Sequence, residues 1–412
     1  MKEPTINYLF KKKNSIKKEE IRAVLKVLKS GELSGFMGSA GKEFLGGKFI
    51  RKFEKSVEKF YDIKYAISVN SWTSGLITAV GSLEIEPGDE IIVTPWTMCA
   101  TATAILHWNC IPVFADINKD TFCIDPSEIK KKITSKTRAI IAVDIFGYPA
   151  DINAIKKVIK GKNIKIISDN AQAPYALNNG KISGTNSDIG GFSFNYHKLI
   201  NTGEGGVIIT NSKKLAERMR LIRNHGEAVI KNNKKIQNNI IGHNFRLGEI
   251  EAAIAIEQYK KLKNIVKERQ NICRQLTKGL INLKGIILPK ETKKITHNYY
   301  IYPMKLDRKI ISTSRTKIIN LLKKEGVQGL IESYGSINNL PIFKNKIAYG
   351  RNNFPWSLRK KIYNKDNCKI SEELNKNIFF AIEVCLFKLN KKDIKLIIKS
   401  FEKVWKKILK KK

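Results

Sequence analysis

The stretch Gly190–Asn211, GGFSFNYHKLINTGEGGVIITN, decides how the rest of the chain is read. Gly191–Phe194 is an apolar run of strand character, Thr202–Gly206 is a glycine-rich turn, and Val207–Thr210 is a second strand. Lys198 stands between the strands, beside a loop of small residues. An amine so placed suits imine formation with a carbonyl, provided that burial or a neighbouring cation leaves it partly deprotonated. The glycines let the backbone come close to a bound group. A solvated lysine in a hairpin loop has the same local sequence, and it is the commoner meaning of any one lysine taken alone.

Lys198 does not stand alone. Upstream lies Lys165–Ala176, KIISDNAQAPYA, where an apolar strand ends at Asp169 and Gln172 follows three residues on. A carboxylate at the carboxyl end of a strand sits where open α/β sheets place their ligands. Pyridoxal phosphate needs two such partners, a lysine for covalent attachment and an acid that keeps the pyridine nitrogen protonated, so the ring can accept electrons. The other reading of Asp169 is an N-cap or turn residue, the common role of an aspartate after a strand.

The ordered set Asp169-x-x-Gln172, Ser193-Phe194-x-x-x-Lys198 and Thr202-Gly-Glu-Gly-Gly206 resembles the DegT/DnrJ/StrS family of sugar aminotransferases. The resemblance covers roughly Gly31 to Phe401, and the motifs are specific as a set though weak singly. It implies a fold-type-I pyridoxal-phosphate transferase: a large α/β domain with a mostly parallel sheet and helices on both faces, and a small α+β C-terminal domain. The expected division is 1–262, with 1–47 an N-terminal helix and loop, and 263–412. The implied activity is transfer of an amino group from glutamate to a nucleotide-linked keto-sugar, yielding an amino sugar for glycan or polysaccharide biosynthesis. Lys198 would hold the cofactor and act as acid/base, Asp169 would sustain the electron sink, and Gln172 would contact the ring. Family members with dehydratase activity carry His in place of the lysine, and His197 is adjacent. Counting back from Thr202 and forward from Phe192 both put Lys198 in the slot. A catalytically idle, regulatory relative is the third reading, against which the intact Asp169, Gln172, Ser193 and Lys198 stand.

The remaining site residues follow from the same resemblance. Asn70-Ser-Trp-Thr-Ser-Gly75 joins a strand to a helix N-terminus, a natural seat for a phosphate through backbone N–H groups and the helix dipole. Ordinary N-capping by Ser71 or Thr73 looks the same in sequence. The family binds the cofactor phosphate here, which implies Thr73 and Ser74, with the Ser193 hydroxyl. Most members stack an aromatic on the pyridine ring at the position held here by Met98; Trp96, two residues earlier, is the alternative. A thioether can also pack on a ring. His243-Asn-Phe-Arg246 resembles a G-Y-N-x-R segment that reaches a neighbouring subunit's active site. It implies a homodimer in which Asn244 approaches the cofactor and Arg246 the substrate. An N-cap asparagine and a surface arginine fit the same letters.

A chain of 412 residues with 42% hydrophobic and 9% aromatic content can bury a large core in two domains. No apolar run reaches the length of about eighteen residues that a membrane span needs, and the first residues, MKEPTINYLFKKKN, lack the apolar stretch of a secretory signal. Six scattered cysteines without a C-x-x-C pair suit a reducing cytoplasm and oppose a structural zinc site. The five histidines show no ligand spacing, and no metal is expected. The net charge of +39 raises the question of nucleic acid. However, only 13 of the 76 basic residues are Arg, the side chain that forks onto bases and phosphates. Lys, Ile and Asn are abundant together throughout, which reads as compositional bias on solvated faces, with no specific nucleic-acid partner.

Along the chain, amphipathic helices are expected at Lys18–Leu28 and Lys48–Tyr61, and strand and helix then alternate through Leu215–Arg223. A polar excursion is expected at 231–239, followed by a helix from His243 to about Leu262. Strands at Gly285–Leu288 and Tyr299–Leu306, and helices at 315–325 and 370–387, form the C-terminal part. The last helix, Lys391–Lys410, carries Ile394, Ile397, Phe401, Val404, Trp405 and Ile408 on one face. Such a stripe can lie on a membrane, but more often it covers the domain's own core. The stretch Asn353–Ser357, with Tyr363 and Cys368, resembles a subgroup of the family and carries no assigned chemistry.

Overall fold

Short apolar runs separated by amphipathic helices force a layered arrangement, because each element has a face to bury. A computed structural model describes residues 3–39, 41–226, 240–292, 294–359 and 367–409. Helices α1 (Lys18–Ser30) and α2 (Lys48–Tyr61) precede the alternating series β1 (Tyr65–Val69), α3 (Trp72–Gly81), β2 (Glu90–Val93), α4 (Cys99–His107), β3 (Ile111–Phe114), α5 (Pro126–Lys132), β4 (Thr137–Val143), α6 (Ile152–Val158) and β5 (Lys165–Asp169). A small hairpin of β6 (Leu177–Asn178) and β7 (Lys181–Ile182) follows, then β8 (Ile189–Ser193), β9 (Gly206–Thr210), α7 (Lys213–Arg223) and α8 (Glu249–Leu280).

Seven of these strands form one sheet in the order β1-β9-β8-β5-β4-β2-β3. All point the same way except β9, which runs antiparallel to both β1 and β8. Alternate side chains serve opposite faces, as the pleat requires. Ile92, Ile140, Ile166, Phe192 and Val207 belong to one buried cluster, and Ile91, Val93, Ile141, Ile167 and Ile208 to another. Burial on both faces explains why the strands read as continuous apolar runs. The register sets Asp169 beside Gly191 and Ser193 beside Gly206. The ends of β5 and β8 therefore meet at the carboxyl edge of the sheet.

The C-terminal part contributes β10 (Ile286–Ile287), β11 (Ile295–Thr296), β12 (Tyr302–Leu306), α9 (Arg315–Lys324), β13 (Leu330–Ile331), α10 (Pro341–Lys344), α11 (Lys369–Glu373), β14 (Phe379–Ile382) and α12 (Lys391–Leu409). Strands β10-β12-β14-β13 make a second, antiparallel sheet, and β11 pairs with the β6–β7 hairpin. The apolar face of α12 is buried in the cluster that holds Tyr302, Met304 and Phe380, so it covers the protein's own core.

Two expected elements are corrected. The helix expected from His243 to about Leu262 begins only at Glu249 and continues to Leu280. Its start is delayed because Asn244 bridges to Asn224 and the Phe245 N–H donates to Arg223 O at 3.0 Å. It runs on because Val266, Ile272, Cys273, Leu276 and Leu280 keep the buried stripe going. The helix expected at 370–387 stops at Glu373, passes through a wide turn, and becomes β14. Four apolar residues fit either state, and pairing with β12 and β13 decides for strand. The excursion at 231–239 and Tyr363 lie outside the described residues.

The edge of the main sheet is tied down by a buried ion pair. Arg223 of α7 donates to Glu54 of α2 at 2.6 Å, and the N–H and hydroxyl of Ser68 on β1 donate to the same oxygen at 2.9 and 2.8 Å. Removing one partner of a buried pair leaves an uncompensated charge. Glu54→Ala is therefore expected to cost about 3–5 kcal/mol of stability, read as a lowered midpoint in urea unfolding. An unchanged midpoint would contradict this role.

Candidate active site

After β8 the chain turns back on itself to begin β9, and the turn carries Lys198. Backbone bonds close its base: Phe194 N–H donates to Gly205 O at 2.9 Å, and Thr202 N–H to Phe194 O at 3.0 Å. Lys198 N–H donates to Asn195 O at 2.9 Å, and the Asn195 amide donates to Glu204 at 2.7 Å. Gly205 has φ of +144°, and a Cβ there would lie 2.9 Å from the Thr202 hydroxyl, so the turn requires glycine. Buried Leu199 and Ile200 anchor the loop from below. Lys198 then lines a cavity of about 230 Å³ together with Thr73, Met98, Asp169, Gln172 and Ser193.

Asp169, at the end of β5, is buried and accepts from three donors. Its Oδ1 accepts from Trp72 Nε1–H at 2.7 Å and from Ala171 N–H at 3.2 Å; Oδ2 accepts from the Thr101 hydroxyl at 2.9 Å. Thr101 is paired in turn with the Thr97 hydroxyl at 2.9 Å. Burial pushes the Asp169 carboxyl above its ordinary value, while the Thr101, Trp72 and Ala171 donors and the Lys198 charge pull it back. Burial holds the Lys198 amine below the usual lysine value, against the attraction of Asp169. The Lys198 ammonium sits 4.8 Å from the centre of the Tyr300 ring. Below Asp169, burial raises Asp144 to about 6.

The other expected residues divide. Thr73 and Ser193 line the cavity. Ser74 is buried, and both its N–H and its hydroxyl engage Ser71 Oγ, at 3.1 and 3.0 Å, as part of the cap of α3. Gln172 reaches the cavity, but its amide is already committed: it accepts from Phe146 N–H at 2.6 Å and donates to the Tyr334 hydroxyl at 3.3 Å. Met98 is 64% exposed at the cavity, whereas Trp96 is 0% exposed. The stacking alternative for Trp96 is corrected: its ring packs among Phe122, Phe146 and Phe379, and its N–H donates to Tyr334 O, so it belongs to the core. Asn244 and Arg246 bond to each other at 2.8 Å near Asn70, outside the cavity lining.

Sequence reasoning missed Trp72, Thr101, Tyr300 and Tyr334. Trp72 left a signal, since it is the one bulky side chain in the turn Asn70–Gly75. Thr101 lies one turn into α4, and the tyrosines come from distant segments without a local motif. An amine, a buried carboxylate, two hydroxyls and a helix N-terminus facing one cavity fit a phosphorylated pyridine aldehyde.

Residues 14–364 match the DegT/DnrJ/EryC1/StrS aminotransferase family. The chain is 30% identical over 347 residues to the spore coat polysaccharide biosynthesis protein SpsC of Bacillus subtilis, covering 82% of this chain and 86% of that protein. It is 34% identical over 255 residues to GDP-perosamine synthase of Escherichia coli O157:H7, covering 62% and 69%. Among solved structures, Helicobacter pylori PseC, an aminotransferase involved in the biosynthesis of pseudoaminic acid, matches with a TM-score of 0.80 at 26% identity, over 97% of this chain and 99% of that one.

A lysine with a lowered pKa stays partly neutral where surface lysines are charged. Treatment with pyridoxal phosphate at pH 8, borohydride reduction and peptide mapping should label Lys198 well ahead of any other lysine. Labelling spread evenly over the surface lysines would contradict the geometry.

Proposed function

The chain belongs to the DegT/DnrJ/EryC1/StrS aminotransferase family, and from that membership we propose that it moves an amino group from glutamate to a nucleotide-linked keto-sugar with pyridoxal phosphate as cofactor. The observation that carries this reading is that Asp169 at the end of β5 and Lys198 in the loop after the adjacent strand β8 face one cavity. The bound cofactor supplies an electron sink for the substrate's C–H bond. Lys198 would hold the cofactor, and its amine would serve as the base that takes the proton from the substrate's α carbon and as the acid that gives it back. Its lowered pKa favours the neutral, basic form that this needs. The donors to Asp169 favour its ionised form against burial, and in that form it would keep a proton on the ring nitrogen. The hydroxyls of Thr73 and Ser193 and the N-terminus of α3 bind phosphate. Met98 would offer its thioether to the ring, and Gln172 props the wall made by Phe146 and Tyr334.

Asn244 and Arg246 point the proposal toward a homodimer: lying outside their own cavity, they serve the partner's, Asn244 toward the cofactor and Arg246 toward the substrate. Full activity in a demonstrated monomer would contradict this. The excess of lysine attracts an anionic nucleotide-sugar, and the amino-sugar product enters glycan or polysaccharide synthesis in the cytoplasm. Among the described residues no helix is long and apolar enough to cross a membrane.

Glutamate alone should bleach the visible band of the loaded protein and release one equivalent of 2-oxoglutarate per site. A nucleotide-linked keto-sugar should then restore the band and gain the nitrogen by mass. A deoxy product without nitrogen would establish a dehydratase instead, and silence toward every amino acid a regulatory relative.

A further inference from the structure

We propose that Trp72 is a positioning residue for Asp169: its indole N–H fixes the carboxylate so that one acceptor site, on Oδ2, is left for the ring nitrogen of the cofactor. A carboxylate offers about four lone-pair sites. Trp72 at 2.7 Å and Ala171 N–H at 3.2 Å occupy Oδ1, and Thr101 at 2.9 Å occupies one site of Oδ2. Thr101 is itself held by Thr97. The Thr101 hydroxyl, the Ala171 N–H and the indole thus leave the carboxylate a single free direction.

The backbone is built to admit the indole. A Cβ on Gly191 would lie 1.9 Å from the Trp72 ring, and one on Gly75 2.5 Å from it. A Cβ on Gly206 would lie 2.9 Å from the backbone nitrogen of Trp72, so this glycine admits the first residue of α3 rather than the indole itself. None of these three glycines has a positive φ, so no turn geometry demands them. Gly191 is also the residue paired with Asp169 across β5 and β8, so the indole lies over the strand pair that presents the carboxylate. Trp72 lines the cavity as well. A tryptophan used only for packing needs some partner for its N–H when buried; here the partner is Asp169, the buried carboxylate of the site.

The consequence is electrostatic. Burial raises the Asp169 pKa, and the donors from Thr101 and Trp72 oppose it. The other groups that face the carboxylate are Lys198, Asp144 and Tyr334. With Trp72 silenced, the ionised form loses a donor, its pKa rises further, and activity fails at a higher pH as the solution is acidified.

The inference rests on the assignment of pyridoxal phosphate to this cavity. It is tested in the full-length loaded protein with Trp72→Phe and with 3-benzothienylalanine incorporated at position 72, which keeps the fused ring and removes the N–H. The analogue is expected to fold as the native protein does and to leave the KM for glutamate unchanged. Its acid limb of kcat should move up by about one pH unit, the scale of a hydrogen bond to a charged group. The dissociation constant for pyridoxal phosphate, measured by dialysis, should weaken several-fold. If the analogue keeps the native acid limb and cofactor affinity, Trp72 only packs and the inference falls. If the native protein forms no visible band with pyridoxal phosphate, the cofactor assignment falls and takes this inference with it.

Discussion

An amine and a carboxylate share one cavity in this protein without forming a direct ion pair, and both are taken out of water. Burial drives the two in opposite directions, Lys198 toward neutrality and Asp169 toward protonation, while their mutual attraction resists both shifts. Burial is the larger influence on Asp169, and the donors around it oppose the shift. Three N–H or O–H groups favour its charged form, while burial favours the neutral, nucleophilic form of the amine. Opposite protonation demands in one pocket are met by unequal hydrogen bonding.

That arrangement depends on the reversed strand. If β9 ran parallel to β8, a long crossover would separate them. Because it is antiparallel, a loop of a dozen residues suffices, closed at its base by Phe194, Thr202 and Gly205. The loop therefore hangs directly over the carboxyl edge where β5 delivers Asp169. Gly191 leaves room above the sheet for the Trp72 ring, and Gly206 leaves room for the backbone of Ser71 and Trp72. The second sheet supports the same wall at one remove: Phe379 of β14 packs against Trp96 and Phe146, and Phe146 is held by Gln172.

Much of this was legible in the sequence wherever a residue's role is fixed by its near neighbours. Asp169 at a strand end, Lys198 before a glycine turn, and the alternating main sheet all follow from local pattern. The readings that went astray depended on distant partners. Trp96 and Met98 are two residues apart in a loop, and only Phe122, Phe146 and Phe379 decide that the tryptophan turns inward. Phe379–Ile382 becomes a strand because β12 and β13 lie on either side. Tyr300 and Tyr334 reach the site from segments more than a hundred residues beyond Lys198, and no local motif announces such a contact. Trp72 was visible as an oddity, but its meaning needed the position of Asp169.

The proposed reaction requires Lys198 to move the proton. Exchange of the α-hydrogen of glutamate with solvent deuterium, followed by mass spectrometry, isolates that step from the sugar and its nucleotide. The native loaded protein should wash out the hydrogen, and Lys198→Ala reconstituted with cofactor should do so at less than about a thousandth of the rate, since covalent and acid–base roles vanish together. A variant that keeps exchange within about tenfold of the native rate, far from the expected loss of a general base, would contradict the assignment and move the chemistry to another residue.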